Sequence, residues 1–303
     1  MELLKQLCGI HATAGNERLM KAFILEYVQK YQNTWLTNPI IHQSPLLQDN
    51  LILEFGKPRT AAFAHMDSVG FTVGYYDQLI PIGSPQVKSE DILVGSDALG
   101  PIECTVLAED GSPITYQFDR AINRGTDLVF KRHFANQEDY VESCYLDNRL
   151  GVYNLLELAS SLEDGLLVFS CREEHSGGSI PMLAKYIHEN FGITQTLISD
   201  ITWVTEGVEH GKGVAISLRD RGIPRRTYVD RILELAQDSG VLYQLEVEST
   251  GSSDAGELQA SPYPFDWCFV GAAESQVHSA SEKVHKSDIQ SMLTLYKYLM
   301  AHL

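Results

Sequence analysis

The stretch Thr60-Ala-Ala-Phe-Ala-His65-Met-Asp67-Ser-Val-Gly70 decides the fold. Its first half is a short apolar run, the pattern of a strand buried on both faces. It then breaks abruptly into a histidine, a carboxylate two residues on, and a glycine. In an open α/β sheet, ligands bind at the outer carboxyl ends of the strands. A His and an Asp delivered there read as a metal ligand and the acid that orients its ring. Alone, the same pair also reads as a satisfied polar contact at a strand end, so the other strands must arbitrate.

Working outward, Asn50–Phe55 is a second strand candidate, and residues 2–31 read as helical. Leu19, Phe23, Tyr27, Val28 and Tyr31 recur at helical spacing there, with Asn16 as the N-cap. From about Gly74 to Glu142 the texture changes. Short β-like runs (Leu79–Ile82, Ile92–Val94, Ile102–Leu107, Ile114–Phe118, Leu128–Phe130) are broken by Gly, Pro, Ser and Asp. That pattern predicts a small all-β unit. From Asp147 an α/β rhythm resumes. Helices are expected at Asn148–Leu162, Ile180–Glu189, Thr227–Asp238 and Ser287–Leu303, and strands at Gly165–Cys171, Thr196–Ser199, Val214–Leu218, Tyr243–Val247 and Trp267–Val270. Such alternation predicts an α/β fold: a mostly parallel or mixed sheet with helices on both faces. The expected layout is a catalytic domain of residues 1–73 and 143–303, interrupted by a β-barrel-like insert at 74–142.

The bulk properties agree. The chain has 303 residues, 44% hydrophobic and 21% charged, an ordinary globular composition long enough for one large domain and one smaller. A net charge of −17 argues against a nucleic-acid partner and against an anionic membrane surface. It favours cations, whether metal ions or a positively charged substrate terminus. Met1-Glu-Leu-Leu-Lys-Gln-Leu-Cys8 lacks the regions of a signal peptide, and no apolar run approaches the roughly 18 residues a bilayer span needs. The five cysteines are scattered and lack any C-x-x-C pairing, as expected of reduced thiols in a cytoplasmic protein.

Four predicted strands run into groups of ligand type. The first ends in His65, and Gly165–Cys171 leads into Arg172-Glu173-Glu174-His175. Leu197-Ile-Ser ends in Asp200, and Trp267–Ala273 leads to Glu274-Ser-Gln-Val-His278. Asp147, in Leu146-Asp-Asn-Arg-Leu-Gly151, opens the helix after the insert. If the sheet is doubly wound, these groups converge on one edge. Two His and three carboxylates suit a pair of divalent ions such as Zn²⁺, Co²⁺ or Mn²⁺, with one carboxylate bridging. Several ionised carboxylates in one cleft need a cation or altered pKa values. Neighbouring Glu173 and Glu174 point apart in a turn or extended segment, so one can bind metal while the other faces the water. The Asp147–Asn148 bond is a candidate for a strained or cis peptide.

At this point the residues resemble a known family. His65-Met-Asp-Ser-Val-Gly-Phe, Asp147-Asn-Arg-Leu-Gly, Glu173-Glu174, Ser199-Asp200, Ser253-Asp254-Ala-Gly and His278-Ser279 match, in order and spacing, the M42 metallo-aminopeptidases of the glutamyl and tetrahedral aminopeptidase type. The resemblance covers nearly the whole chain and implies a two-metal site. His65, Asp147 and Asp200 would hold one ion, and Asp147, Glu174 and His278 the other. Glu173 would be the catalytic base and Asp67 would orient His65. It also implies peptide substrates with a free N-terminus and large homo-oligomeric particles, often dodecamers.

The chain departs from the family pattern at Ser68, at His175-Ser176, at Trp203 where a His is common, and at Ala280, none of them a ligand position. His175 could face substrate or metal. Asp254, at a helix start, is explained by helix capping as well as by function. Gly211-Lys-Gly213 lacks a full phosphate-binding pattern and reads as a turn, and Cys171 as a buried structural thiol. Two other functions fit parts of this pattern: a related di-metal amide hydrolase or deacylase, and a non-catalytic metal-binding assembly protein. Glu173 argues against the last, because a pure binding site needs no base beside its ligands.

Overall fold

The computed structural model describes every residue except Asp110 and Ser176. The apolar run is a strand, Ala61–His65, buried along its whole length near the middle of an 11-stranded sheet. Side chains alternate across a strand, and this strand feeds two cores. Ala62 and Ala64 join Leu53, Phe55, Leu167, Phe169 and Leu197 on one face. Ala61 and Phe63 join Ile52, Leu166, Val168 and Ile198 on the other. The first face is covered by helices Arg18–Tyr31, Leu146–Ala159, Arg226–Ser239 and Lys286–His302. The second is covered by Ile180–Phe191 and Asp254–Ala260. Cover on both faces explains why the run reads as continuously apolar rather than alternating.

The strands Gly165–Ser170, Ala61–His65, Gln195–Trp203 and Asp266–Ser275 lie side by side in that order and parallel. The margins are antiparallel. Leu51–Phe55 flanks one side; Glu282–His285, Tyr140–Ser143 and Ala135–Asn136 extend the other. Val214–Arg219 and Tyr243–Val247 branch from Asp266–Ser275. Parallel neighbours need long crossovers, which only the central segments carry as helices, so the sheet is mixed with a parallel heart.

Two sequence expectations change. Asp200 is not at a strand end. Its strand runs on to Trp203 because it pairs with Asp266–Ser275 throughout, whereas its pairing with Ala61–His65 stops at Ile198. Asp200 therefore lies just beyond the point where its other neighbour has ended. The N-terminal helix is two helices, Glu2–Leu7 and Arg18–Tyr31, and the residue at the second N-cap is Glu17 rather than Asn16. The segment between them is recruited to the sheet rim instead: Thr13 bridges to Ser68, and the carbonyl of Ala12 accepts from the Ser68 backbone N–H at 2.9 Å.

A second sheet of six antiparallel strands is built from Gly70–Val73, Leu79–Ile82, Ile92–Asp97, Gly100–Leu107, Thr115–Gln117 and Asp127–Phe130. It has its own core around Phe71, Leu93, Ile102, Val106 and Leu128. Its end strands curl together where Gln78 bridges to Thr115 and the Leu79 N–H donates to the Ile114 carbonyl at 2.8 Å. This sheet takes in Gly70–Val73, before the expected start of the insert, and leaves Ala135–Asn136 and Tyr140–Ser143 to the large sheet.

Candidate active site

Register brings the chemistry together. His65 pairs with Ser170 on the neighbouring strand, so the turn after that strand places Glu173 and Glu174 beside the His65 ring. Asp67 fixes this turn from the other side: its Oδ1 accepts from the Glu173 backbone N–H at 3.1 Å and its Oδ2 from that of Glu174 at 3.0 Å. The same carboxylate lies 3.5 Å from His65 Nδ1, leaving Nε2 directed into the site.

Asp147 is held just as tightly. The motif Asp147-Asn148-Arg149-Leu150-Gly151 opens a kinked helix, and the Asp147–Asn148 peptide is cis. The Asn148 amide donates to the Ser199 carbonyl at 2.9 Å, which ties the motif to the Asp200 strand. Gly151 permits this approach, since a Cβ there would meet the Ser199 carbonyl oxygen at 2.1 Å. Arg149 is fully buried and donates to the backbone carbonyls of Met66, Asp67, Ile10 and Ala12. That guanidinium satisfies a set of buried carbonyls beneath the His65–Ser68 rim, an arrangement a lysine's single ammonium would not match.

The five expected ligands meet. His65 Nε2 lies 3.3 Å from Asp147 Oδ1 and 3.6 Å from Asp200 Oδ2. His278 Nε2 lies 3.1 Å from Asp147 Oδ2 and 3.1 Å from Glu174 Oε2. Asp147 thus turns one oxygen to each imidazole. Donor atoms of His65, Asp147 and Glu174 all fall within 4.8 Å of one another, a grouping that could hold a metal ion. Glu173 Oε2 comes to 3.9 Å from His65 Nε2 on the same side as the cavity, whereas Glu174 turns toward His278. A cavity of about 240 Å³ opens here, lined by these groups, by Trp203 and Phe269, and by Asp220, Glu246 and Glu248.

The electrostatics are those of crowded acids. Burial raises Glu173 well above the usual carboxylate range, against the pull of His65, with Glu174 and Asp200 adding to the rise. Asp200 is raised well above its ordinary value by burial and by Asp147, although His65 opposes this. Burial works against a charged His278, but Asp147 and Glu174 outweigh it and push its pKa up to about 11. His65 behaves alike, with Asp200, Asp147, Asp67 and Glu173 overcoming desolvation. Asp147 is lowered despite its burial, because it faces both imidazoles.

Some participants are absent from the sequence reading. Glu282 is buried and accepts from two backbone N–H groups, that of His278 at 2.9 Å and that of Asp147 at 3.2 Å. Glu274 is fully buried behind Asp147 and Asp200, and neither of its oxygens has a partner. Ser84, from the second sheet, reaches His278 Nδ1 at 3.0 Å. Only the place of Glu282 four residues after His278 could have hinted at its role. His175 accepts from the Gly83 N–H at 3.1 Å. Ser176 lies outside the described residues. Asp254 bonds Ser170, while the helix it opens is capped by Ser253. Cys171 is a buried thiol.

Fold and site together define a mixed α/β protein with a second, antiparallel sheet and a carboxylate- and imidazole-lined cavity of a kind that could hold a metal ion. The sequence profile described as M42 glutamyl aminopeptidase matches residues 117–295, and the chain belongs to that family of aminopeptidases. A protein of Acetivibrio thermocellus that carries a provisional aminopeptidase name is 25% identical, covering 97% of this chain and 96% of its own. The aminopeptidase APDkam598 of Desulfurococcus kamchatkensis superposes with a TM-score of 0.86 at 20% identity, over 100% of this chain and 94% of that one. The TET1 peptidase of Pyrococcus horikoshii, described as assembling into a tetrahedron or a large octahedral shell, gives 0.81 at 20% identity, over 100% and 99%. Among the described residues, no helix is long and apolar enough to cross a membrane.

Proposed function

We propose that this aminopeptidase works with two divalent cations, Zn²⁺, Co²⁺ or Mn²⁺, and that it removes residues from peptides with a free N-terminus. His65, Asp147 and Asp200 would hold one cation, and Asp147, Glu174 and His278 the other. The observation that carries this reading is the split of the Asp147 carboxylate, one oxygen 3.3 Å from His65 Nε2 and the other 3.1 Å from His278 Nε2. Nitrogen and carboxylate donors of this mix suit such ions, and the buried Glu174 Oε1, which has no hydrogen-bond partner among the described residues, fits the same account. When bound, such ions would supply Lewis-acid polarisation of the scissile carbonyl and lower the pKa of the attacking water.

The chain supplies the rest. Glu173, on the cavity side and not needed as a ligand, takes a proton from the attacking water. Oxygen bonds to the carbonyl carbon, the C–N bond breaks, and Glu173 passes the proton to the leaving amine. Burial raises its pKa above the ordinary carboxylate range, which makes its ionised form a stronger base for that proton. Asp67 keeps the His65 ring and the Glu173–Glu174 turn in register. The carboxylate-rich cavity wall favours a free α-ammonium over an acylated amine, and so an aminopeptidase over a deacylase. The likeness to a shell-forming peptidase supports a homo-oligomer, a dodecamer being one such form, and reduced cysteines fit a cytoplasmic setting.

Aminoacyl-p-nitroanilides with a free amine should be cleaved, their N-acetylated counterparts should not, and EDTA should stop the reaction. Release of acetate from the acetylated set, with the free amines left uncleaved, would reassign the enzyme as a deacylase.

A further inference from the structure

Of the expected ligands, His278 is the one held from outside the parallel heart of the large sheet. His278 sits in a loop with a left-handed backbone, φ +64°, and its side chain is 19% exposed where that of His65 is 2%. Two groups that touch no other expected ligand ring hold it. The Glu282 carboxylate accepts the His278 N–H with one oxygen and the Asp147 N–H with the other, tying the histidine to the shared carboxylate. The second group comes from the six-stranded sheet. In its loop Gly83–Gln86, the Ser84 hydroxyl meets His278 Nδ1 at 3.0 Å, and the Gln86 N–H donates to the His278 carbonyl at 2.9 Å. The same loop lies against Glu174: a Cβ on Gly83 would be 2.9 Å from the Glu174 carbonyl oxygen. For His278 to offer Nε2 to a cation its Nδ1 must carry the proton, and Ser84 Oγ is placed to accept it.

We infer that Glu282, on a margin strand of the large sheet, and Ser84, from the six-stranded sheet, are positioning residues for the cation on the His278 side, so that the six-stranded sheet, through Ser84, tunes the affinity of one half of the metal site and not the other. The inference rests on the two-cation reading. Neither residue is assigned a ligand or base role. Glu282 orders the loop through two N–H groups; Ser84 selects the tautomer and angle of the ring.

Equilibrium dialysis of the full-length protein against graded free Co²⁺, with bound cobalt counted per chain, separates the two ideas. The wild-type chain should take up two Co²⁺. Ser84→Ala, an exposed change that leaves the core intact, should weaken one of the two uptake steps about 10- to 100-fold and leave the other unchanged, and Ser84→Thr should restore it. Glu282→Gln keeps the shape but loses one acceptor; because it touches both His278 and the shared Asp147, it should weaken the step that Ser84→Ala weakens still further and the other step less. The Tm at saturating Co²⁺ should stay put in the Ser84 variants. Two wild-type steps left unmoved by both substitutions would overturn the inference while sparing the two-cation site. Equal weakening of both steps by Ser84→Ala would reduce its role to general structure and overturn it too. A wild-type chain that saturates at fewer than two Co²⁺ would sink the two-cation reading, and this inference with it.

Discussion

His65 and His278 offer the same atom, Nε2, to the two oxygens of one carboxylate, yet they are held in unlike ways. His65 ends a strand paired on both sides, so its position follows from sheet register. Its ring is buried, and Asp67, 3.5 Å from its Nδ1, also accepts both N–H groups of the Glu173–Glu174 turn. His278 follows the end of its strand on a loop, and its place depends on one buried carboxylate and on a hydroxyl borrowed from another sheet. Register is a rigid constraint shared by many residues; loop placement rests on a few polar contacts that must all be present. The same ligand chemistry therefore comes with two sensitivities to mutation.

Asp147 belongs to both halves, so its loss is expected to erase the distinction. Asp147→Ala should remove both cations and bring activity down to the uncatalysed blank, with metal per chain read by elemental analysis. If one cation persisted at wild-type affinity, the halves would be independent and Asp147 would not be the shared ligand.

Glu173 tests whether the His65 half carries chemistry beyond metal binding. Glu173→Gln keeps the size of the side chain and should retain both cations and nearly the wild-type KM, while kcat falls by about 10²- to 10⁴-fold, the usual worth of a general base. Retained turnover would place the base elsewhere, and a lost cation would make Glu173 a ligand.

The same contrast decides what was legible in the sequence. The strand at Ala61–His65 could be read because both faces are buried, which writes a continuous apolar run. The helices at Arg226–Ser239 and Lys286–His302 showed by periodicity, and the short β runs by their turn residues. The separation of Glu173 from Glu174 followed from local geometry. Residues whose role is to accept backbone N–H groups from a remote loop leave no pattern. Glu282, Ser84 and the carbonyl-binding Arg149 act on partners 135, 194 and 139 positions away at their farthest, and only the folded chain brings them there. Asp200 was placed at a strand end because the apolar run stops there, although pairing with a neighbour carries the strand three residues further. The break in the N-terminal helix was likewise hidden, since the need of Ser68 and Arg149 for the Ala12 carbonyl is a tertiary demand.

The smallest expected effect sharpens the comparison from behind the ligands. Glu274 is fully buried at the seam between the two halves, with both oxygens unpartnered. Burial, and then Glu282, Asp147 and Asp200, raise its pKa well above the ordinary value of 4.5. An unfolded chain releases that proton near pH 4.5, whereas the folded chain holds it to higher pH. The folded state of the metal-free protein therefore loses stability as pH rises from about 4.5 toward the folded pKa, and the penalty is fully present above it. Glu274→Gln removes the ionisation and keeps the shape. In EDTA the variant should melt with the wild type at pH 4 and about 2–4 °C above it at pH 8, the shift that roughly 1 kcal/mol gives a chain of this order. With both cations bound the gap should shrink, because two positive ions beside Asp147 and Asp200 favour an ionised Glu274. A variant that melts lower than the wild type at pH 8 in EDTA would mean that the charged carboxylate is stabilised there, and that the seam between the two halves is not the low-dielectric pocket its burial implies.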